Sequence, residues 1–185
     1  MKSVKPVLID EILDHLPHLI RLRLPWLLLG LLIAFFSTIF VSRFEEVISK
    51  NISLAFFLPM IVYMSDAVGT QSETIFVRKL QMGKLDLKKY LLMEFQIGLF
   101  MGIILGVSIA GAAYLWLKSV PVAMTVGWAM FVNILIAPTI AVVIPEVLYK
   151  KHSDPALGAG PFSTVIQDTL SLVIYFLLAF FIIRN

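Results

Sequence analysis

The sequence predicts an all-α integral membrane protein, and three observations carry that reading. Of its 185 residues, 59% are apolar and only 15% charged, against about 45–50% and about 25% in an average soluble domain. Mean hydropathy is +0.94. The charges are also clustered, leaving runs long enough for helices to cross the hydrocarbon core, which takes about 20 mostly apolar residues. A water-soluble globule lacks the charge to clothe it, and the wealth of Phe, Leu, Ile and Val excludes disorder. The absence of cysteine removes a disulfide framework, a zinc–thiolate site and a cysteine nucleophile. A net charge of +3 gives no footing for nucleic acid.

Five stretches qualify as spans. The first covers Leu24 to Val41. The second opens near Ile52, stays apolar to Met64 and continues as a more polar segment to Val77. The third runs from Tyr90 to Leu117, the fourth from Val120 to Tyr149 and the fifth from Pro161 to Ile183. Pro138 and Pro145 inside the fourth predict a kink or break. Ahead of the first span, residues 7–23 place Leu8, Ile9, Ile12, Leu13, Leu16, Leu19 and Ile20 at helical spacing with charges between them. That pattern predicts an amphipathic helix lying on the membrane surface, with Pro17 a point of division. Early acids (Asp10, Glu11, Asp14) and the lack of a small-residue cleavage pattern argue against a cleaved signal peptide.

Eleven Lys and Arg residues flank one side of these spans and four the other. The positive-inside rule then puts the N-terminus in the cytoplasm and the C-terminus outside, across a cell (inner) membrane.

Ionisable groups inside spans are costly and mark ion paths or proton relays. Asp168 is the sharpest case, seven residues into the fifth span and about 10 Å along it. Thr164, Ser171 and Tyr175 share its helical face, and no Lys or Arg shares that helix before Arg184. The bland alternative is a protonated aspartate that bonds helices together. A second cluster closes the second span: Asp66, Thr70 and Glu73 share one face, with Gly69 allowing close approach. Its alternative is a juxtamembrane cap with Glu73 paired to Arg78 or Lys79. Glu94 and Gln96 open the third span and Glu146 closes the fourth, all expected near an interface where an exposed charge is cheap. Asn133 lies deeper, placed to hydrogen-bond across helices. Glu45 and Glu46 fall in an outer loop. Gly98, Gly102, Gly106 and Ala110 form a small-xxx-small ladder, a signature of tight helix packing. His15, His18 and His152 sit in polar flanks and make an imidazole metal site improbable.

The oxygen-only inventory suits a hard divalent cation. One carboxylate per subunit is a poor match for such an ion, whereas two copies about a twofold axis supply two. Mg²⁺ keeps much of its water and is usually held by one or two carboxylates, so Asp168 facing Asp168 across a wet pore fits a Mg²⁺ site; Ca²⁺ wants more direct oxygens, and residue types alone do not choose between the two.

The sequence resembles the transmembrane domain of the MgtE family of magnesium channels and transporters, related to the magnesium solute carriers of animals. Three patches carry the resemblance: PWLLLGLLIAFFSTIFVSRFEEVI (25–48), LAFFLPMIVYMSDAVGTQSETIFVRKLQMG (54–83) and IPEVLYKKHSDPALGAGPFSTVIQDTLSLVIYF (144–176). It implies a homodimer of five-helix subunits with a cation pore near the dimer axis, lined by the second and fifth spans. Asp168 matches the family's pore aspartate, and Thr164 the residue one turn earlier. The departures are Ser65-Asp66-Ala67 in place of a Gly-Gly-Asn, and Gly160 in place of an asparagine. Both bear on ion selectivity. The resemblance also implies a division into residues 1–23, a juxtamembrane segment, and 24–185, the transmembrane domain, without the N-domain and CBS domains of typical bacterial members.

The function expected is therefore transport of Mg²⁺ or a similar divalent cation, with Asp168, Thr164, Asp66 and Glu73 as metal-facing residues and no organic cofactor. Cation/H⁺ or cation/Na⁺ exchange on the same fold, and a non-transporting membrane subunit needing a separate regulatory partner, are the alternatives. An intramembrane hydrolase built on Asp66 and Asp168 finds no catalytic motif around either residue, so no enzyme is expected.

Overall fold

A computed structural model describes residues 16–83, 85–151 and 155–183. Within these the chain is helical throughout: α1 (Leu16–Ser42), α2 (Glu45–Lys50), α3 (Ser53–Met82), α4 (Leu87–Leu117), α5 (Val120–Lys150) and α6 (Pro155–Ile183). All but α2 are long and apolar enough to cross a membrane. The second span and its polar continuation form one helix of 30 residues, about 45 Å at 1.5 Å per residue and so longer than the roughly 30 Å hydrocarbon core. The amphipathic segment expected over 7–23 falls mostly outside the described residues. Its last part, from Leu16, is continuous with the first span in α1.

Local chemistry sets the turns. α3 stops at Gly83, whose φ of 80° suits glycine. α4 starts at Asp86, whose carboxylate accepts the Lys89 amide at 3.2 Å. Lys118 ends α4 in the left-handed region, its N–H donating to the Tyr114 carbonyl at 2.8 Å, and Pro121 sits in the first turn of α5, where its missing N–H costs nothing. With two residues between them, α4 and α5 must be antiparallel neighbours. The outer loop holding Glu45 and Glu46 is a short helix, α2, with acids in its first turn and Lys50 in its last, the arrangement a helix dipole favours.

α5 is the hub, packing against α3, α4 and α6, while α1 packs mainly on α6. The break expected at Pro138 and Pro145 does not occur: both are buried within an uninterrupted α5. Neighbouring helices on three sides hold the chain helical where proline removes a donor. The glycine ladder meets α5 as expected. A Cβ added at Gly98, Gly102 or Gly106 would lie 2.8–2.9 Å from the carbonyl oxygens of Leu135, Phe131 and Gly127. On the other flank, Ser37 and Thr169 share a hydroxyl–hydroxyl bond of 2.7 Å between α1 and α6, and Trp26 and Phe44 make ring contacts with Phe162 and Phe176.

Candidate cation-binding site

The two polar clusters of the sequence meet where α3 and α6 run side by side. Thr164 Oγ1 donates to Asp66 Oδ1 at 3.0 Å, joining residues 98 positions apart. Asp168, one turn further along α6 and half-buried, is close enough to Asp66 for their charges to interact. Glu73 lies two turns along α3 from Asp66 and turns toward α6, its Oε1 3.8 Å from where a Cβ on Gly160 would sit, and near Ser163. Glu73, Thr70, Thr74, Gly160, Thr164 and Arg78 line an open cleft of ≈ 430 Å³.

What allows this approach is Gly69. The amide of Gln167 occupies the space where a Cβ on Gly69 would be, so a larger residue there must displace the end of the Gln167 side chain. Gln167 itself is 2% exposed, and its Oε1 has no hydrogen-bond partner among the described residues. The sequence signal for Gln167 is its turn-by-turn spacing with Ser163 and Ser171, both also buried.

The polar stripe on α6 divides along its length. Thr164 and Asp168 are half-buried, whereas Ser171 and Tyr175 are sealed in the core, with Tyr175 Oη donating to the Leu54 carbonyl at 2.8 Å. The two helices are antiparallel, so the same face of α6 meets the carboxylates of α3 at one end and its apolar first turns at the other. The Glu73–Arg78 or Glu73–Lys79 pairing does not form. Lys79 sits over the Tyr90 ring, 4.5 Å from its centre, and Arg78 is exposed. Asn133 Nδ2 bonds the Ala129 carbonyl of its own helix at 2.9 Å rather than a neighbouring one.

Glu94 corrects an expectation outright. Instead of an exposed interfacial charge it is 3% exposed, and its Oε2 accepts the Ser72 hydroxyl at 2.7 Å. Glu146 does behave as a cheap charge near a helix end, paired with Lys150 at 2.9 Å.

Among the described residues, no three acids or imidazoles of one chain come together as a complete metal site. What one chain presents is an oxygen-rich edge: two carboxylates, a threonine hydroxyl and a third carboxylate at the cleft. Such an edge suits a hydrated hard cation better than a dehydrated soft one.

The chain is similar to three known proteins. It is 35% identical over 157 residues to the magnesium transporter MgtE of Bacillus subtilis, covering 83% of this chain and 35% of the relative. It is 30% identical over 179 residues to the magnesium transporter MgtE of Enterococcus faecalis, covering 95% and 40%, and 28% identical over 156 residues to that of Thermus thermophilus, covering 83% and 34%. The chain thus spans well under half the length of these curated relatives. A family model, MgtE, described as a divalent cation transporter, matches residues 58–178, from α3 through the Asp168 face of α6. The chain is a multi-pass membrane protein that belongs to the MgtE family of divalent cation transporters.

Proposed function

We propose that the chain moves Mg²⁺, or a similar divalent cation, along the α3–α6 edge, with a second copy completing the path. The observation that carries this reading is the Thr164–Asp66 bond, which draws the acids of two distant segments onto one edge beside Asp168. The names of the relatives, all magnesium transporters, support the choice of ion.

Among the described residues no three acids of one chain close around a single point, so one chain offers an open edge rather than an enclosed site. Two copies related by a twofold axis double the supply without any new element, and twofold symmetry is the commonest way to do so. In that homodimer Asp168 of each copy faces a shared, wet pore. Mg²⁺ surrenders its water reluctantly, so the pair holds a hydrated ion, with Thr164 contributing a further oxygen. Glu73 and Asp66 raise the local cation concentration at the end of α3, which the basic flanks place on the cytoplasmic side. The membrane potential supplies the drive, worth about 2.3 kcal/mol per unit charge per 100 mV. The protein's part is positional and electrostatic, and no bond is made or broken.

The test is Mg²⁺ flux in proteoliposomes holding the purified protein alone. Wild type is expected to transport, and Asp168→Asn, which keeps the shape and removes the charge, to lose most of the flux. Undiminished flux in Asp168→Asn sinks the pore assignment. Absence of flux in wild type sinks the transport reading as a whole.

A further inference from the structure

α3 carries Asp66 and Glu73, so its rotation about its own axis decides where both carboxylates point. On the α6 side it is fixed by Thr164 and by Gln167 lodged on Gly69. On the adjoining side the neighbour is α4, which packs on α5 and makes little direct contact with α3. What does reach across is a short series of side chains from the first two turns of α4. Glu94 accepts the Ser72 hydroxyl at 2.7 Å, buried. The Tyr90 ring tilts against Phe76 with centres 5.3 Å apart, and Lys79 lies over the far side of that ring system at 4.5 Å. Ser72, Phe76 and Lys79 follow one another at helical spacing, so these contacts hold a single face of α3.

Of the three, the Glu94–Ser72 bond is the one whose chemistry is unexpected. Burying a carboxylate is costly, and an apolar side chain of similar volume would pack there more cheaply. A hydrogen bond has what an apolar contact lacks, a fixed direction. Ser72 directly precedes Glu73, and consecutive helical residues are about 100° apart around the axis. Fixing Ser72 toward Glu94 therefore turns Glu73 toward Gly160 and Ser163. The same rotation brings Asp66 to Thr164.

We propose that Glu94 is a positioning residue for the cation path: through its bond to Ser72 it sets the rotation of α3 that aims Glu73 and Asp66 at α6. This rests on the transport reading given above and adds to it a residue that touches no ion.

The experiment measures Mg²⁺ flux against Mg²⁺ concentration for wild type, Ser72→Ala, Glu94→Leu and Glu94→Gln in proteoliposomes, together with the shift in thermal midpoint that Mg²⁺ produces in detergent. Ser72→Ala and Glu94→Leu are expected to raise the half-saturating Mg²⁺ concentration by about three- to tenfold, the scale set by loss of one hydrogen bond, with maximal flux per folded protein largely kept. Glu94→Gln retains an oxygen that accepts from Ser72 and is expected to stay close to wild type. Should Glu94→Leu fail to fold, Ser72→Ala alone decides. Unchanged half-saturation with lower thermal stability makes Glu94 merely structural and overturns the inference. Glu94→Gln behaving as badly as Glu94→Leu also overturns it, since the charge rather than the bond would matter. A wild type that is stabilised by Mg²⁺ but moves none refutes transport alone, and the midpoint shifts then decide the inference. A wild type neither stabilised nor transporting refutes both.

Discussion

α4 and α5 approach each other closely along their glycines, and the cost of disturbing that contact can be worked out from single methyl groups. A Cβ on Gly102 would lie 2.9 Å from the Phe131 carbonyl oxygen, about 0.5 Å inside ordinary van der Waals contact. That oxygen belongs to the backbone of a buried helix, so it cannot swing aside as a side-chain end can. Gly102→Ala must instead separate two 31-residue helices, loosening the neighbouring contacts at Gly98 and Gly106 as well. Overpacking of this kind costs about 1–3 kcal/mol. Gly111, on the same helix, has nothing within 4 Å of an added Cβ, and Gly111→Ala is expected to be neutral or stabilising by up to about 1 kcal/mol, the helix-propensity gain. Gly69→Ala should fall between the two, because the atoms in its way are the far end of the Gln167 side chain. The assay is reversible unfolding in mixed detergent micelles, followed by loss of helical circular dichroism, on the three variants beside wild type. Gly102→Ala as stable as wild type, or Gly111→Ala as destabilised as Gly102→Ala, would refute the reasoning.

Three further expectations follow from the same geometry. Tyr175→Phe removes a buried hydrogen bond to the Leu54 carbonyl and should cost about 1 kcal/mol in the same unfolding assay; no measurable loss would mean that the bond is not formed in the membrane. A double-mutant cycle of Ser37→Ala and Thr169→Val should return a coupling of about 0.6 kcal/mol, the usual size of an interhelical bond in a membrane protein, and zero coupling would show α1 held on α6 by packing alone. Glu73→Gln should reduce flux at low Mg²⁺ and leave it unchanged at saturation, as removal of a concentrating charge requires; equal loss at both would assign Glu73 to the conduction step instead.

Much of the fold was legible because lipid simplifies the problem. Each long apolar run became a helix, since within hydrocarbon a lone segment can satisfy its backbone only that way. The Gly98–Gly102–Gly106 ladder met a neighbouring backbone because its spacing permits little else. Asp168 and Asp66 stood out because charge in a span is rare. The misjudged features share a cause. Glu94 looked like a helix-end charge, yet it lies where α3 crosses the first turns of α4. The prolines of α5 looked like breaks, yet the hub position holds the helix intact.

By itself, then, the sequence determined the number of spans and which residues carry unusual polarity, both of which follow from the local balance of hydration and apolar surface. Only the tertiary structure decided which polar groups meet. The Thr164–Asp66 bond joins positions 98 residues apart, and the division of the α6 stripe into an open end and a sealed one depends on which part of antiparallel α3 lies opposite. No residue's own chemistry carries that information, because partnership across helices is set by crossing and register, and those in turn by where small residues such as Gly102 let two backbones come close.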